Sequence, residues 1–243
     1  MARRIHTSEP LRAGEMTLSE REAHHARDVL RLEAGAAVEV FDDAGNVACA
    51  TILSCNPGGV VVRVNEPTAD AAASTGIRLT VATAVPKGDR ADWMIEKLGE
   101  LGVDRFIPLA TARSVVLPGG TNKRDRWMRI ATEAAKQSRR RGVMRIDELT
   151  RIGDALRDAI ASGLCYHLST VAGATSVHNL LAHTAPPSLT AFIGPEGGWT
   201  DDETAEFVTA GAISVRLTPT ILRVETAAIA IAAIIGSIQS RDG

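Results

Sequence analysis

From residue 77 onward, apolar runs short enough for strands alternate with stretches whose apolar positions recur every three or four residues. Ile77-Arg-Leu-Thr-Val-Ala-Thr-Ala-Val85 predicts a strand, closed by Pro86-Lys-Gly-Asp-Arg90. Met94, Leu98 and Leu101 then share one helical face, and Gly102 stands where that helix would stop. Val103 to Leu109 predicts a second strand. Trp127, Ile130, Ala131, Ala134, Ala135 and Ser138 repeat at helical spacing and leave Arg126, Arg129, Lys136 and Arg140 on the other faces. Further on, helices are predicted over Ile152 to Ala161, from Asp201 to Gly211, and from about Glu225 to Ile238. Strands are predicted over Gly163 to Ser169, Leu189 to Ile193 and Ile213 to Leu217. Such alternation argues for an α/β domain with a mostly parallel sheet covered by helices.

The first part of the chain follows another rhythm. Ser19 to Leu32 predicts a short helix, with Ala23, Ala26, Val29 and Leu30 opposite Arg27 and Arg31. Ala37 to Phe41, Val47 to Leu53 and Val60 to Val64 predict strands, joined by turns at Asp42-Asp-Ala-Gly45 and Asn56-Pro-Gly-Gly59. Short strands at this spacing suggest a compact β-barrel or half-barrel. Pro67 to Gly76 is small, polar and without periodicity, which makes it the best linker candidate. The expected division is therefore a β domain over 1–68, a linker over 69–76 and an α/β domain over 77–243.

Composition adds limits. A chain with 45% hydrophobic and 23% charged residues is an ordinary globular protein, but 3% aromatics means cores built mainly from Ala, Val, Ile and Leu. Cys49, Cys55 and Cys165 are odd in number and lack metal-ligand spacing, which favours buried thiols in a reducing compartment. His24 and His25 are adjacent on a helix and point apart, so no metal site is expected. No apolar segment follows Arg3 and Arg4, and the longest apolar stretch, Ala227 to Ile235, falls short of the roughly 20 residues that span a bilayer. No membrane association and a cytoplasmic location are expected. Net charge is −2, yet Lys123 to Arg145 carries nine basic residues against Asp125 and Glu133. A basic block on an otherwise acidic chain points to a local polyanion contact.

Chemistry is concentrated near the end. Ala191-Phe-Ile-Gly-Pro-Glu-Gly-Gly-Trp-Thr200 is a strand end that breaks into a glycine-rich loop. Thr200-Asp-Asp-Glu203 after it fits a capping box. Such a loop can be a tight turn holding nothing, or a place where main-chain groups face a ligand. Dinucleotide, P-loop, nucleophile-elbow and zinc signatures are all missing. What remains is three strand ends, at His167-Leu-Ser-Thr170, Gly194 to Gly198, and Leu217-Thr-Pro-Thr-Ile-Leu-Arg223. Ligands of open α/β sheets bind beyond the carboxyl ends of the strands, so these loops can line one pocket.

Gly-Pro-Glu-Gly-Gly at 194–198, followed by Ile-Leu-Arg-Val-Glu-Thr-Ala at 221–227, resembles the bacterial 16S rRNA uridine-N3 methyltransferases of the knotted SPOUT superfamily. Lys87-Gly-Asp-Arg90 with Glu96-Lys97 and Glu100 to Val103 is similar to that family's opening of the catalytic domain. Arg126-Trp127, Glu133-Ala134 and Gln137-Ser138, and the helix from His24 to Arg31, add to the resemblance. Departures from the pattern are Thr218 in place of glycine, Thr220 in place of arginine, Val224 in place of threonine and Met144 in place of proline, and the pattern has a glycine near the position of Arg139.

The resemblance implies an α/β domain with a trefoil knot, a PUA-like β-barrel before it, S-adenosylmethionine as cofactor, 16S rRNA as partner and a homodimer with the last helix at or near the interface. It further implies that Leu168, Ile193, Gly194, Gly197, Gly198, Leu217, Ile221 and Leu222 surround the cofactor. Arg223 and Glu196 are the candidates near the reacting centre, and Arg139, Arg140 and Arg141 the candidates for phosphate contacts. Methylation at N3 requires loss of a proton and access to an atom that is buried in a paired duplex. A knotted methyltransferase with another RNA target, or a non-catalytic RNA-binding protein of the same fold, is the alternative.

Overall fold

The computed structural model describes residues 3–68, 76–114, 121–140, 142–171, 173–181 and 186–239. The linker candidate at 69–75 and Arg141 lie outside the described residues. Two compact units form: Met1–Ser74 with Ala135–Val143, and Thr75–Ala134 with Met144–Gly243.

The first unit holds a five-stranded sheet in the order β1-β3-β4-β5-β2. Its strands are β1 (Arg3–Thr7), β2 (Gly14–Thr17), β3 (Ala37–Asp42), β4 (Val47–Asn56) and β5 (Gly59–Val64). β1 runs parallel to β3, and the other pairs are antiparallel. Alternate residues Val38, Val40, Ala48, Ala50, Ile52, Val60, Val62 and Val64 form its core with Ile5, Leu11 and Leu18, as period-two patterning requires. Asp42 holds the β3–β4 turn. Burial would raise its carboxyl, but the Asn46 side chain and the main-chain N–H groups of Leu11, Asn46 and Ala44 donate to it and bring it below the usual value.

Two expectations are corrected here. The helix predicted over Ser19 to Leu32 is α1 (Glu20–His24), which continues as a π-helical stretch, His25–Val29. Leu30 N–H reaches back to the His25 carbonyl at 2.9 Å, a five-residue step that rotates the following residues off the expected face. Val29, expected on the apolar side, is 59% exposed. The thiols are not all buried either. Cys165 is, with its pKa pushed up to about 12 by burial, whereas Cys49 points outward from β4 and Cys55 is half-buried.

The second unit is an all-parallel sheet in the order β11-β13-β10-β12-β6-β7-β8, with β9 also pairing β7. In chain order its elements are β6 (Arg78–Thr83), α2 (Asp89–Glu100), β7 (Arg105–Ala110), α3 (Thr121–Ser138), β8 (Arg145–Ile146), β9 (Thr150–Arg151) and α4 (Ile152–Ser162). Then come β10 (Leu164–Leu168), β11 (Thr175–Ser176), α5 (Val177–Leu181), β12 (Ser188–Ile193), α6 (Asp201–Thr209), β13 (Ile213–Arg216) and α7 (Val224–Gln239). The last four residues of α3 fall in the first unit.

Every residue of β12 is buried, as expected for a strand covered on both faces. Phe192 packs against Phe207 of α6 and lies in one cluster with Ile152, Leu156 and Ala159 of α4. On the other face α7 packs on β6, β12 and α2, burying Ala228, Ile231, Ala232 and Ile235. α3 reaches α2 through Gly99, where a Cβ would sit 2.9 Å from the Ala134 Cβ. β13 pairs with β10, whereas α7 packs on β6 and β12, so the segment 217–223 must carry the chain back across the sheet.

Candidate active site

Three neighbouring parallel strands, β13, β10 and β12, end on the same side of the sheet. Their following segments are therefore brought together by topology alone. Trp199 Nε1 donates to the Leu168 carbonyl at 3.2 Å, which ties the end of β10 to the glycine loop. Its indole also packs on Phe207, with ring centroids 4.9 Å apart. Ala84 N–H donates to the Ile193 carbonyl and Ser169 N–H to the Val215 carbonyl, so the strand ends are braced to their neighbours.

The three glycines of the loop serve three purposes. A Cβ on Gly194 would lie 3.0–3.3 Å from the Trp199 ring. One on Gly197 would lie 3.2 Å from the Arg113 side chain, whose Nη1 donates to the carbonyls of Gly197 at 2.7 Å and Trp199 at 3.2 Å. Gly198 alone needs glycine for its backbone: its φ is +70°, and its N–H closes a turn onto the Pro195 carbonyl at 2.8 Å. That turn leaves Glu196 exposed at its crest. The capping box follows as expected. Thr200 and Glu203 bond each other's main-chain N–H, and Glu203 also accepts from Ala112 N–H at 2.8 Å.

The third wall is the crossing segment. Leu217 and Leu222 are half-buried, and the Ile221 side chain is 83% exposed. Two departures from the family pattern meet here, since Thr218 Oγ1 donates to the Thr220 carbonyl at 2.8 Å. Among the described residues, the main-chain groups of Gly194, Leu217, Ile221 and Leu222 make no main-chain hydrogen bond. Groups without a main-chain partner, beside the half-buried Leu217 and Leu222, are open to water or to a ligand. Arg223 is exposed and stands immediately before α7; its carbonyl accepts from Ala227 N–H at 2.9 Å. The strand order places Leu168, Ile193, Gly194 and Leu217 at one end of the sheet, with Glu196, Gly197 and Gly198 on the loop after β12 and Ile221, Leu222 and Arg223 on the segment that leads to α7. Arg139 and Arg140 belong to the other unit. Two surface depressions lie away from these loops, one between α4 and α6 and one at the opposite end of the sheet, around Arg78, Arg105 and Thr190.

Four residues here were not assigned to the site from the sequence: Arg90, Arg113, His167 and Trp199. A signal existed for Arg90. It lies in the first turn of α2, where the positive end of the helix disfavours a cation, so an anionic partner was to be expected. Its Nη1 is 3.3 Å from Glu225 Oε1 and its Nη2 is 3.8 Å from Glu196 Oε1. Arg113 and Trp199 carried no comparable signal, because their partners are main-chain carbonyls distant in sequence.

His167 is buried on β10 against Phe207, and neither ring nitrogen has a hydrogen-bond partner. Burial pushes its imidazole below the ordinary 6.5. Below that pH the unfolded chain takes up a proton that the folded chain refuses. The stability present above the unfolded pKa is therefore lost as pH falls from 6.5 toward the folded value. His167→Phe is expected to remove this part of the acid sensitivity. The melting temperature of wild type should fall relative to that of the variant on acidification from roughly pH 7 to pH 5, and a constant difference across that range would contradict it.

Among the described residues no helix is long and apolar enough to cross a membrane, and no cluster of three or more metal-ligating side chains occurs.

Comparison with known proteins matches residues 73–236 to the RNA methyltransferase domain family and residues 18–65 to the RNA methyltransferase PUA domain family. Ribosomal RNA small subunit methyltransferase E of Bacillus subtilis is 33% identical over 85% of this chain and 83% of its own length. Its Mycobacterium bovis counterpart is 30% identical over 90% of this chain and 85% of its own. The crystal structure of ribosomal RNA small subunit methyltransferase E from Neisseria gonorrhoeae, bound to S-adenosylmethionine, superimposes with a TM-score of 0.84 at 25% identity, covering 98% of both chains.

Proposed function

Because the chain belongs to the RNA methyltransferase family that includes ribosomal RNA small subunit methyltransferase E, we propose that it methylates N3 of a uridine in 16S rRNA. The methyl donor is S-adenosylmethionine, which supplies an electrophilic methyl group when bound. The observation that carries the reading is the convergence of three strand-end loops, two of them with main-chain groups that make no main-chain hydrogen bond, in a chain whose α/β unit matches that family. In this reading the main chain of Leu168, Ile193, Gly194, Gly197, Gly198, Leu217, Ile221 and Leu222 encloses the cofactor. Arg223 steadies negative charge developing on the uracil, and Glu196 orients the methionine end or takes the N3 proton. The crossing segment 217–223 forms part of a trefoil knot. Residues 77–243 are the catalytic domain, and the PUA-like residues 1–68 help to hold RNA.

The outer face of α7 supports a homodimer. Ala230, Ile234 and Ile238 recur every four residues and remain half-buried, as does Ile229, beside the small exposed Ala233. Together they make an apolar stripe suited to a second copy. A cytoplasmic location follows from an rRNA substrate.

The test is transfer of labelled methyl from S-adenosylmethionine to small ribosomal subunits and to deproteinised 16S rRNA. Label in RNA from either preparation supports the reading, and label in neither overturns it.

Phosphate contacts are assigned to Arg139, Arg140 and Arg141. Arg139 is exposed and follows α3 with a φ of +58°, a left-handed position that glycine usually fills. Reversing the charge of Arg139 and Arg140 is expected to weaken RNA binding about tenfold at moderate salt and to lower the slope of log affinity against log salt by about two. Unchanged affinity and slope in a salt titration would remove the assignment.

A further inference from the structure

We infer that Arg90 is a positioning residue that locks two walls of the cofactor pocket together, an inference that rests on the S-adenosylmethionine reading above. Arg90 lies between three segments. Its own, at the start of α2, follows β6; Glu196 is on the turn of the glycine loop after β12; and Glu225 is in the first turn of α7, directly after the crossing segment.

The two carboxylates differ in a way that gives the bridge a fixed end and an adjustable end. Glu225 has a side chain 5% exposed, and its Oε2 has no hydrogen-bond partner. A buried carboxylate needs its counter-ion close by, because water cannot replace it. Arg90 is therefore held to α7. Glu196 is 45% exposed and 3.8 Å away, so water competes for it and the contact can lengthen or tighten. With the guanidinium anchored at Glu225, the pull on Glu196 sets how far the glycine loop stands from the crossing segment. Main-chain groups on both walls then face the pocket at a fixed separation, which lowers the ordering cost of binding. Arg113 also holds this loop, through the Gly197 and Trp199 carbonyls.

A purely structural role for Arg90, neutralising a buried charge, makes a different prediction from a positioning role, and variants separate them. Dissociation constants for S-adenosylmethionine are measured by calorimetry alongside melting temperatures, for wild type, Arg90→Met, Arg90→Lys, Glu196→Gln and the double variant Arg90→Met with Glu225→Gln. Arg90→Met is expected to weaken cofactor binding roughly tenfold or more, the scale of one charge-assisted hydrogen bond. It should also lower the melting temperature. Arg90→Lys should recover part of the affinity, and Glu196→Gln should weaken binding without changing the melting temperature. The double variant relieves the buried charge, so it should regain stability but not affinity. Recovery of both in the double variant, or unchanged affinity in Arg90→Met, overturns the positioning role while leaving the cofactor reading intact. A wild-type protein that binds no S-adenosylmethionine overturns the cofactor reading, and the positioning role falls with it.

Discussion

Replacing Arg223 by alanine is expected to lower single-turnover methyl transfer by about 10²–10³-fold and to leave the dissociation constant for S-adenosylmethionine within about twofold. The side chain is exposed, and among the described residues it forms no ion pair. Its main chain, by contrast, is fixed by the first hydrogen bond of α7. A positive side chain at the positive end of a helix is poorly placed for stability and well placed to attract an anion. In the proposed reaction the uracil becomes anionic as N3 loses its proton, and Arg223 is proposed to meet the charge that develops. Lysine keeps the charge but loses the planar fork of donors, and Arg223→Lys should fall between wild type and alanine. Rapid-quench transfer with saturating cofactor, paired with calorimetry, separates the two effects. A loss confined to cofactor affinity would move Arg223 from the reacting centre to the cofactor.

The second large effect concerns stability. Lys136 Nζ lies 2.5 Å from Glu22 Oε1 in the first unit, with only 6% and 5% of the two side chains exposed. His6 N–H also donates to Glu22 Oε2, at 3.4 Å. Removing one member leaves the other charge in a place water does not reach. Lys136→Met is therefore expected to cost about 3–5 kcal/mol of unfolding free energy. Replacing both, Lys136→Met with Glu22→Leu, should regain most of that loss, because the desolvation of both ions disappears with them. Urea unfolding of the three proteins measures it. A cost below about 1 kcal/mol for the single variant would mean that the pair behaves as a surface ion pair.

Much of the α/β unit was legible because its strands and helices carry their burial in their periodicity. Met94 and Leu98, Trp127 and Ala131, and the mostly apolar run Leu189 to Ile193 of β12 each predicted an element that the structure contains. β1 was not legible. Arg3-Arg-Ile-His-Thr7 shows one aliphatic residue, and its other buried side chain is an arginine. Arg4 is accommodated only because Glu39, the Arg140 carbonyl and the face of Phe41 surround it, all contacts distant in sequence. The short strands β8, β9 and β11 carry two residues each and leave no pattern to detect.

The candidate site divides the same way. Its loops could be found, since glycine, proline and a capping box mark where a strand gives way to a helix. The reasons for individual glycines could not. Gly194 makes room for Trp199 and Gly197 for Arg113, and only the folded chain brings those side chains there. Glu196 read alone suggested a group for the cofactor or a proton. Its partner Arg90 adds a role in holding the loop, which no local pattern around residue 196 contains.

The most direct measurement is nucleoside analysis of 16S rRNA after reaction with this protein and S-adenosylmethionine, using small subunits and RNA from cells lacking the activity. N3-methyluridine at a single position, absent from the Arg223→Ala reaction, is the expected result. Methyl groups found only on another base, on a ribose hydroxyl, or nowhere in the RNA would contradict the proposed function.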